Sequence, residues 1–254
     1  MKKVSLSLFV LSVAVIILAR YYPEPRLMNV EGGNFRVSAS AGGQGASGVR
    51  TLLASAQEKV DSIKRPVIGE AAVALDKYLP ESPLMNFAAD ALLEMSQRHS
   101  AVPVDVAITN KGGLRSTIQQ GVITFGDVYD VFPFENTLAL LTLTGTQLQQ
   151  LCREVASVGG EAISGMRMQI TPQGELLSVT VNGEPLDPER EYRIATSDYL
   201  SQGNDKMNAL ALGTGRDILS NITIRDLMVQ YIKELAGRGE KLSAECDGRI
   251  TVIE

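Results

Sequence analysis

Three stretches of this chain carry side chains suited to holding a small, flat, polar molecule. In "ITNKGGLR", Asn110 and Arg115 flank a Gly112-Gly113 pair, an amide and a guanidinium on either side of a tight turn. In "VFPFEN", Phe134 and Asn136 follow Pro133, although the chain has only six Phe and no Trp. In "SDYLSQGNDK", Tyr199 precedes Gly203 and Asp205. Two aromatic faces can sandwich a planar base, a carboxamide can read its edge, a carboxylate can accept from sugar hydroxyls, and a guanidinium can hold phosphate. Each stretch alone is also ordinary loop chemistry: a Gly pair after a strand is often only a turn. Phe132 and Phe134, two apart, can both face a core. Of the two, Phe132 is expected in the core and Phe134 at the ligand.

The usual centres of independent catalysis are missing. The one histidine, His99, sits at a polar helix end, and no Cys/His spacing suits zinc. There is no calcium loop, phosphate-binding glycine loop or nucleophile elbow. The net charge of −5, with no Lys/Arg cluster beyond Lys2 and Lys3, argues against nucleic acid as a partner.

The elements that must position these stretches are readable from periodicity and caps. "VIGEAAVAL" is strand-like, and a helix starts at Pro83 with Ser82 as its cap. Its Leu84, Phe87, Ala88, Ala91, Leu92 and Met95 share one face. "VDVAIT" predicts a buried strand, "NTLALLTLTG" a strand and "GTQLQQLCREVA" a helix. "MRMQIT" and "LLSVTVNGEPL" predict strands, with a tight turn at Asn182-Gly183. "YRIATSDYL" is a strand running into the third loop. "TIRDLMVQYIKELAG" is a helix with Thr223 and Asp226 as capping box and Gly237 at its C-cap, and "GRITVIE" closes with a strand. Helices and strands mix without strict alternation, which predicts an α/β (α+β) domain of mixed β-sheets packed with helices.

The organisation falls into three parts. Residues 1–20 read as an export signal, cleaved or retained as a single anchor: two lysines precede the apolar run Val4 to Ala19. This places the protein outside the cytoplasm, periplasmic or at the cell surface, with contact to a membrane only through that segment. Residues 21–65 form a Pro/Gly/Ser-rich linker with a short helix at "VRTLLASAQEKVDSI". Residues 66–254 form the compact domain. Cys152 and Cys246 either pair, as an exported protein allows, or leave Cys152 a buried free thiol.

The run from "TNKGGLR" through "VFPFENTLALLTLTGTQLQQLCREVA", with "ISGMRM", "YRIATSDYLSQGND" and the helix "ESPLMNFAADALLE", resembles the C-terminal domain of the 5'-nucleotidase and UDP-sugar hydrolase family. The likeness covers about Pro66 to Glu254. It implies a domain that binds the substrate's nucleoside. Phe134 falls at the first stacking aromatic and Tyr199 at the second, where Phe is usual. Asn110 and Asn136 fall at polar positions around the base, Asp205 at the acid for the ribose hydroxyls, and Arg115 at the arginine of the Gly-Gly turn. Gly203 falls in the glycine-rich loop.

The departures are that the segment just before the Pro83 helix, "ALDKYLPESP", holds Lys77 but no arginine, and that the glycine-rich ending is "GNDKM", where Asn204 can still tolerate a left-handed backbone but Lys206 and Met207 alter the loop. The family's metallophosphoesterase domain has no counterpart here. The resemblance thus implies no cofactor in this chain, with a divalent metal pair supplied by a separate metallophosphoesterase partner. Three readings stay open: a substrate-specificity subunit of a split phosphohydrolase, a non-catalytic nucleoside- or nucleotide-binding module, or a structural domain whose site has decayed.

Overall fold

A computed structural model describes residues 47–254. The signal or anchor expected over 1–20 and most of the linker expected over 21–65 lie outside the described residues. Within that linker range a helix, α1 (Ser47–Lys64), precedes the domain. No described helix is long and apolar enough to cross a membrane.

The centre of the domain is a five-stranded mixed sheet in the order β10-β4-β9-β2-β5: β2 (Val106–Thr109), β4 (Thr137–Thr144), β5 (Ala162–Ser164), β9 (Glu191–Ser197) and β10 (Thr214–Thr223). β2 runs parallel to β9, and β4 antiparallel to it. All four residues of β2 are buried, as a short apolar run without alternation requires when both faces are covered. On one face Leu138, Leu140 and Ala107 pack with α2 (Pro83–Ser96) and α7 (Ile224–Gly237). On the other, Leu141, Leu143, Val106 and Ile108 pack with α4 (Gly145–Ser157) and a second sheet. That sheet has the order β11-β6-β7-β8, from β6 (Met166–Ile170), β7 (Leu176–Val181), β8 (Glu184–Pro185) and β11 (Ile250–Val252). A two-stranded ribbon pairs β1 (Val67–Ala71) with β3 (Gly121–Thr124). Three shorter helices, α3 (Phe125–Val131), α5 (Asp198–Ser201) and α6 (Asn208–Ala211), complete the fold.

The caps explain where the helices start. The Ser82 hydroxyl accepts from the Met85 N–H at 3.3 Å and Pro83 takes the first helical turn. Thr223 and Asp226 form the reciprocal box at α7. The end of α7 differs from expectation: its C-cap is Arg238, and Gly239, at φ 74°, takes the left-handed position assigned to Gly237. Asn182 and Gly183 both have positive φ, as the hairpin turn between β7 and β8 demands. Strands β3, β5 and β10 and helix α3 had no counterpart among the elements expected from the sequence. Cys152 and Cys246 are both free; Cys152 is buried, and that burial pushes its thiol up to about 12.

Candidate functional site

The site lies along one edge of the five-stranded sheet. Because β2 and β9 are parallel, their carboxyl ends emerge together. Because β4 pairs antiparallel with β9, with Leu138 opposite Ser197, its amino end arrives at the same edge. Crevices outside the carboxyl ends of strands are the usual ligand positions of open α/β sheets. The three expected loops therefore meet: β2 leads to Asn110, the turn at 132–136 leads into β4, and β9 leads into α5 and Asp205.

They enclose a cavity of ≈ 410 Å³ lined by Asn110, Gly112, Gly113, Arg115, Phe134, Asn136, Tyr199 and Asp205. This falls within the ~300–1,000 Å³ range of small-molecule sites. Six of the seven residues singled out in the sequence line it. The seventh, Gly203, does not: at φ 88° it turns the chain behind the cavity, where a Cβ would sit 3.2 Å from that of Ala211. The left-handed backbone that Asn204 could tolerate falls on its neighbours Asp205 and Lys206, at φ 54° and 66°. Asn204 uses its side chain to donate to the Tyr199 carbonyl at 2.8 Å.

The two rings are placed differently from core aromatics. Phe134 is 50% exposed and Tyr199 39% exposed, and no ring contact joins them. Phe132 is 6% exposed and packs edge-on against Phe87 with centroids 6.5 Å apart, which places it in the core as expected.

The polar groups divide into those already bonded and those free to bond. Asp205 is bonded twice: one oxygen accepts from the Tyr199 hydroxyl at 2.9 Å and the other from the Asn110 carboxamide. The bond to Asp205 raises the Tyr199 hydroxyl above its ordinary pKa. Asn110 itself is buried, and a Cβ at Gly113 would lie 2.7 Å from its carboxamide oxygen, so any larger residue there would have to displace that side chain. By contrast, the Asn136 carboxamide has no hydrogen-bond partner among the described residues. Arg115 is exposed, and among the described residues its guanidinium donates only to the Gly112 carbonyl, at 3.3 Å, so most of its five donors remain available.

The Gly-Gly turn rests on charges that nothing in the sequence singled out as a unit. The Lys111 ammonium donates to the Val158 and Gly160 carbonyls at 3.1 and 3.0 Å and to Glu161 at 2.9 Å. Burial raises the Glu161 carboxyl, against the opposing effect of the Lys111 bonds. Lys77 donates to the Lys111 and Leu114 carbonyls, so the cation in the segment just before α2 braces the turn.

No group of three or more His, Cys, Asp or Glu that could hold a metal occurs among the described residues, and the chain's one histidine lies at the far end of α2. The described residues do not fit the divalent metal pair that the resemblance implies for a partner.

The model of the 5'-nucleotidase C-terminal domain matches residues 64–212. The chain belongs to that family. It is 29% identical over 217 residues to the trifunctional nucleotide phosphoesterase protein YfkN of Bacillus subtilis, covering 78% of this chain and 14% of that protein. It is 30% identical over 143 residues to a probable 5'-nucleotidase of Treponema pallidum, covering 49% of this chain and 24% of that one. Among solved structures, a 5'-nucleotidase precursor from Thermus thermophilus superposes with a TM-score of 0.70 at 29% identity, over 81% of this chain and 43% of that one. The chain thus spans less than half the length of each of these relatives. The matched segment contains all three loops of the cavity, while α7 and β11 lie beyond it.

Proposed function

We propose that this 5'-nucleotidase C-terminal domain is a substrate-specificity unit that binds a nucleoside or nucleotide for a phosphohydrolase whose metal centre lies on a separate metallophosphoesterase chain. The observation that carries the reading is the pair of exposed, mutually unstacked rings, Phe134 and Tyr199, delivered from separate loops to one cavity, with the Asn136 carboxamide and most of the Arg115 donors free beside them. A base enters between the rings, and the Asn136 carboxamide reads its edge. Asp205, held by Asn110 and Tyr199, accepts from ribose hydroxyls, and Arg115 faces the phosphate end. The protein acts outside the cytoplasm, as its first residues suggest.

Two measurements test this. Calorimetry with adenosine and AMP should show binding by this chain alone. AMP hydrolysis should appear only when an exported metallophosphoesterase and a divalent metal are mixed with it. If this chain hydrolyses AMP alone as fast as the mixture does, the division of labour is wrong. Binding without hydrolysis in any mixture would leave a non-catalytic binding module.

A further inference from the structure

A stacking slot works only if the distance and angle between its plates are held. The Tyr199 ring is tied through its hydroxyl to Asp205, but the Phe134 ring makes no contact with another ring. Two buried or half-buried charges that do not line the cavity reach the backbone on both sides of it. The first is Asp198. One of its carboxylate oxygens accepts from the Thr137 N–H at 2.9 Å and from the Tyr199 N–H at 2.8 Å. A single atom thus ties the residue after Asn136 to the residue carrying the second ring. The second is Arg225, on the first turn of α7. Its guanidinium donates to the Phe132 carbonyl at 3.2 Å and to the Glu135 carboxylate, either side of the Pro133-Phe134 pair. It lies over the Tyr129 ring, 4.5 Å from the centroid, and is 7% exposed. The neighbouring Ile224 N–H adds a bond to the Asn136 carbonyl at 2.9 Å.

We propose that Asp198 and Arg225 are positioning residues: together they brace the turn that carries Phe134 against the loop that carries Tyr199 and so set the width of the slot. The inference rests on the nucleoside reading of the cavity for its ligand, but not for its geometry. Two bonds at positions 132 and 135 restrict the intervening residues, and the shared acceptor of Asp198 keeps that turn in register with the second ring. Charge-assisted bonds of this kind are the strong ones, and the guanidinium that makes them is buried.

The test separates slot geometry from ligand identity. The full chain is labelled with para-fluorophenylalanine, and the Phe134 signal is assigned by its loss in Phe134→Leu. In Asp198→Ala and in Glu135→Ala, which loosens Arg225 from the exposed side without emptying a buried position, the Phe134 fluorine resonance should shift or broaden while that of Phe87 stays. Adenosine affinity, by calorimetry, should fall roughly tenfold in Asp198→Ala. It should recover to within about threefold of wild type in Asp198→Asn, which keeps an acceptor oxygen. An unchanged Phe134 resonance in both alanine variants overturns the brace, as does an Asp198→Asn variant no better than Asp198→Ala. If the wild-type chain fails to bind adenosine, the nucleoside reading falls, and the fluorine comparison still decides whether the brace sets the ring.

Discussion

Two concave, charged regions of this domain invite opposite conclusions. One, of ≈ 270 Å³, is lined by Asp90, Ser164, Arg167, Asp247 and Arg249 among others. The other is the ≈ 410 Å³ cavity between the three loops. In the first, the charges satisfy each other. Arg249 donates to both oxygens of Asp90, to both oxygens of Asp247 and to the Ile163 carbonyl, while Arg167 adds two more bonds to Asp247. Burial works against the Arg249 charge, but its bonds to Asp90 and Asp247 raise its pKa overall. The cluster fastens the C-terminal strand β11 beside β6 and α2. In the second region Arg115 and Asn136 have donors to spare, and two rings stand half out of the fold. A concavity whose polar groups are spent on one another is a fastening; one that keeps unspent groups and exposed aromatic faces is where a ligand gains most.

Substitutions can sharpen or break that contrast. The largest effect is expected at Arg249→Met. It leaves Asp90 and Asp247 without their shared buried cation and should cost about 3–5 kcal/mol of unfolding free energy by denaturant titration. Adenosine binding, measured where the variant is still folded, should be unchanged. Phe134→Ala should do the reverse: about 1–3 kcal/mol lost from adenosine affinity, with stability moved by less than about 0.5 kcal/mol because the ring is half exposed. If Phe134→Ala destabilises as much as it weakens binding, the ring belongs to the core and the contrast fails.

Acid provides a third probe. Burial works against the Asp247 charge, but the Arg249 and Arg167 partners win and lower its pKa from 3.8. Its stabilisation is therefore present above about pH 4 and is lost as pH falls through the lower folded value. Unfolding midpoints between about pH 5 and pH 2 should fall less steeply in Asp247→Asn than in wild type. The smallest effect is expected for Tyr199→Phe, which keeps the ring face and removes the bond to Asp205. Adenosine affinity should drop by about threefold, less than for Phe134→Ala.

The readable parts of the fold were those written in local chemistry. Ser82 with Pro83, Thr223 with Asp226, and Asn182-Gly183 each signal a cap or turn through bonds between near neighbours, and each appears where that chemistry puts it. β10 was not readable. Its residues, "TGRDILSNIT", are mostly exposed at the sheet edge and show no apolar alternation; pairing with β4 makes it a strand. Helix α3 carried a legible signal, Thr124 followed by Asp127, which form a capping box, but it is only seven residues long. The left-handed positions at Asp205, Lys206 and Gly239 each lie one or two residues from a position suited to them in the sequence, because glycine or asparagine permits that conformation without specifying which neighbour adopts it.

Residue order alone supplied the inventory: no metal-ligating cluster, two aromatics and two amides beside predicted strands, an arginine after a Gly pair, and a family likeness in their order. Those are properties of residue type and spacing along the chain. The assembled fold settled which of them share a cavity, that Gly203 stands outside it, and that Lys111 is spent on Glu161 while Arg115 is not. It also showed that Asp198 and Arg225, silent in the sequence, hold the two rings' backbones. Such facts depend on parallel pairing of β2 with β9 and on a helix whose charge reaches a turn about ninety residues earlier. No local pattern encodes a contact between residues that meet only when the whole sheet is assembled.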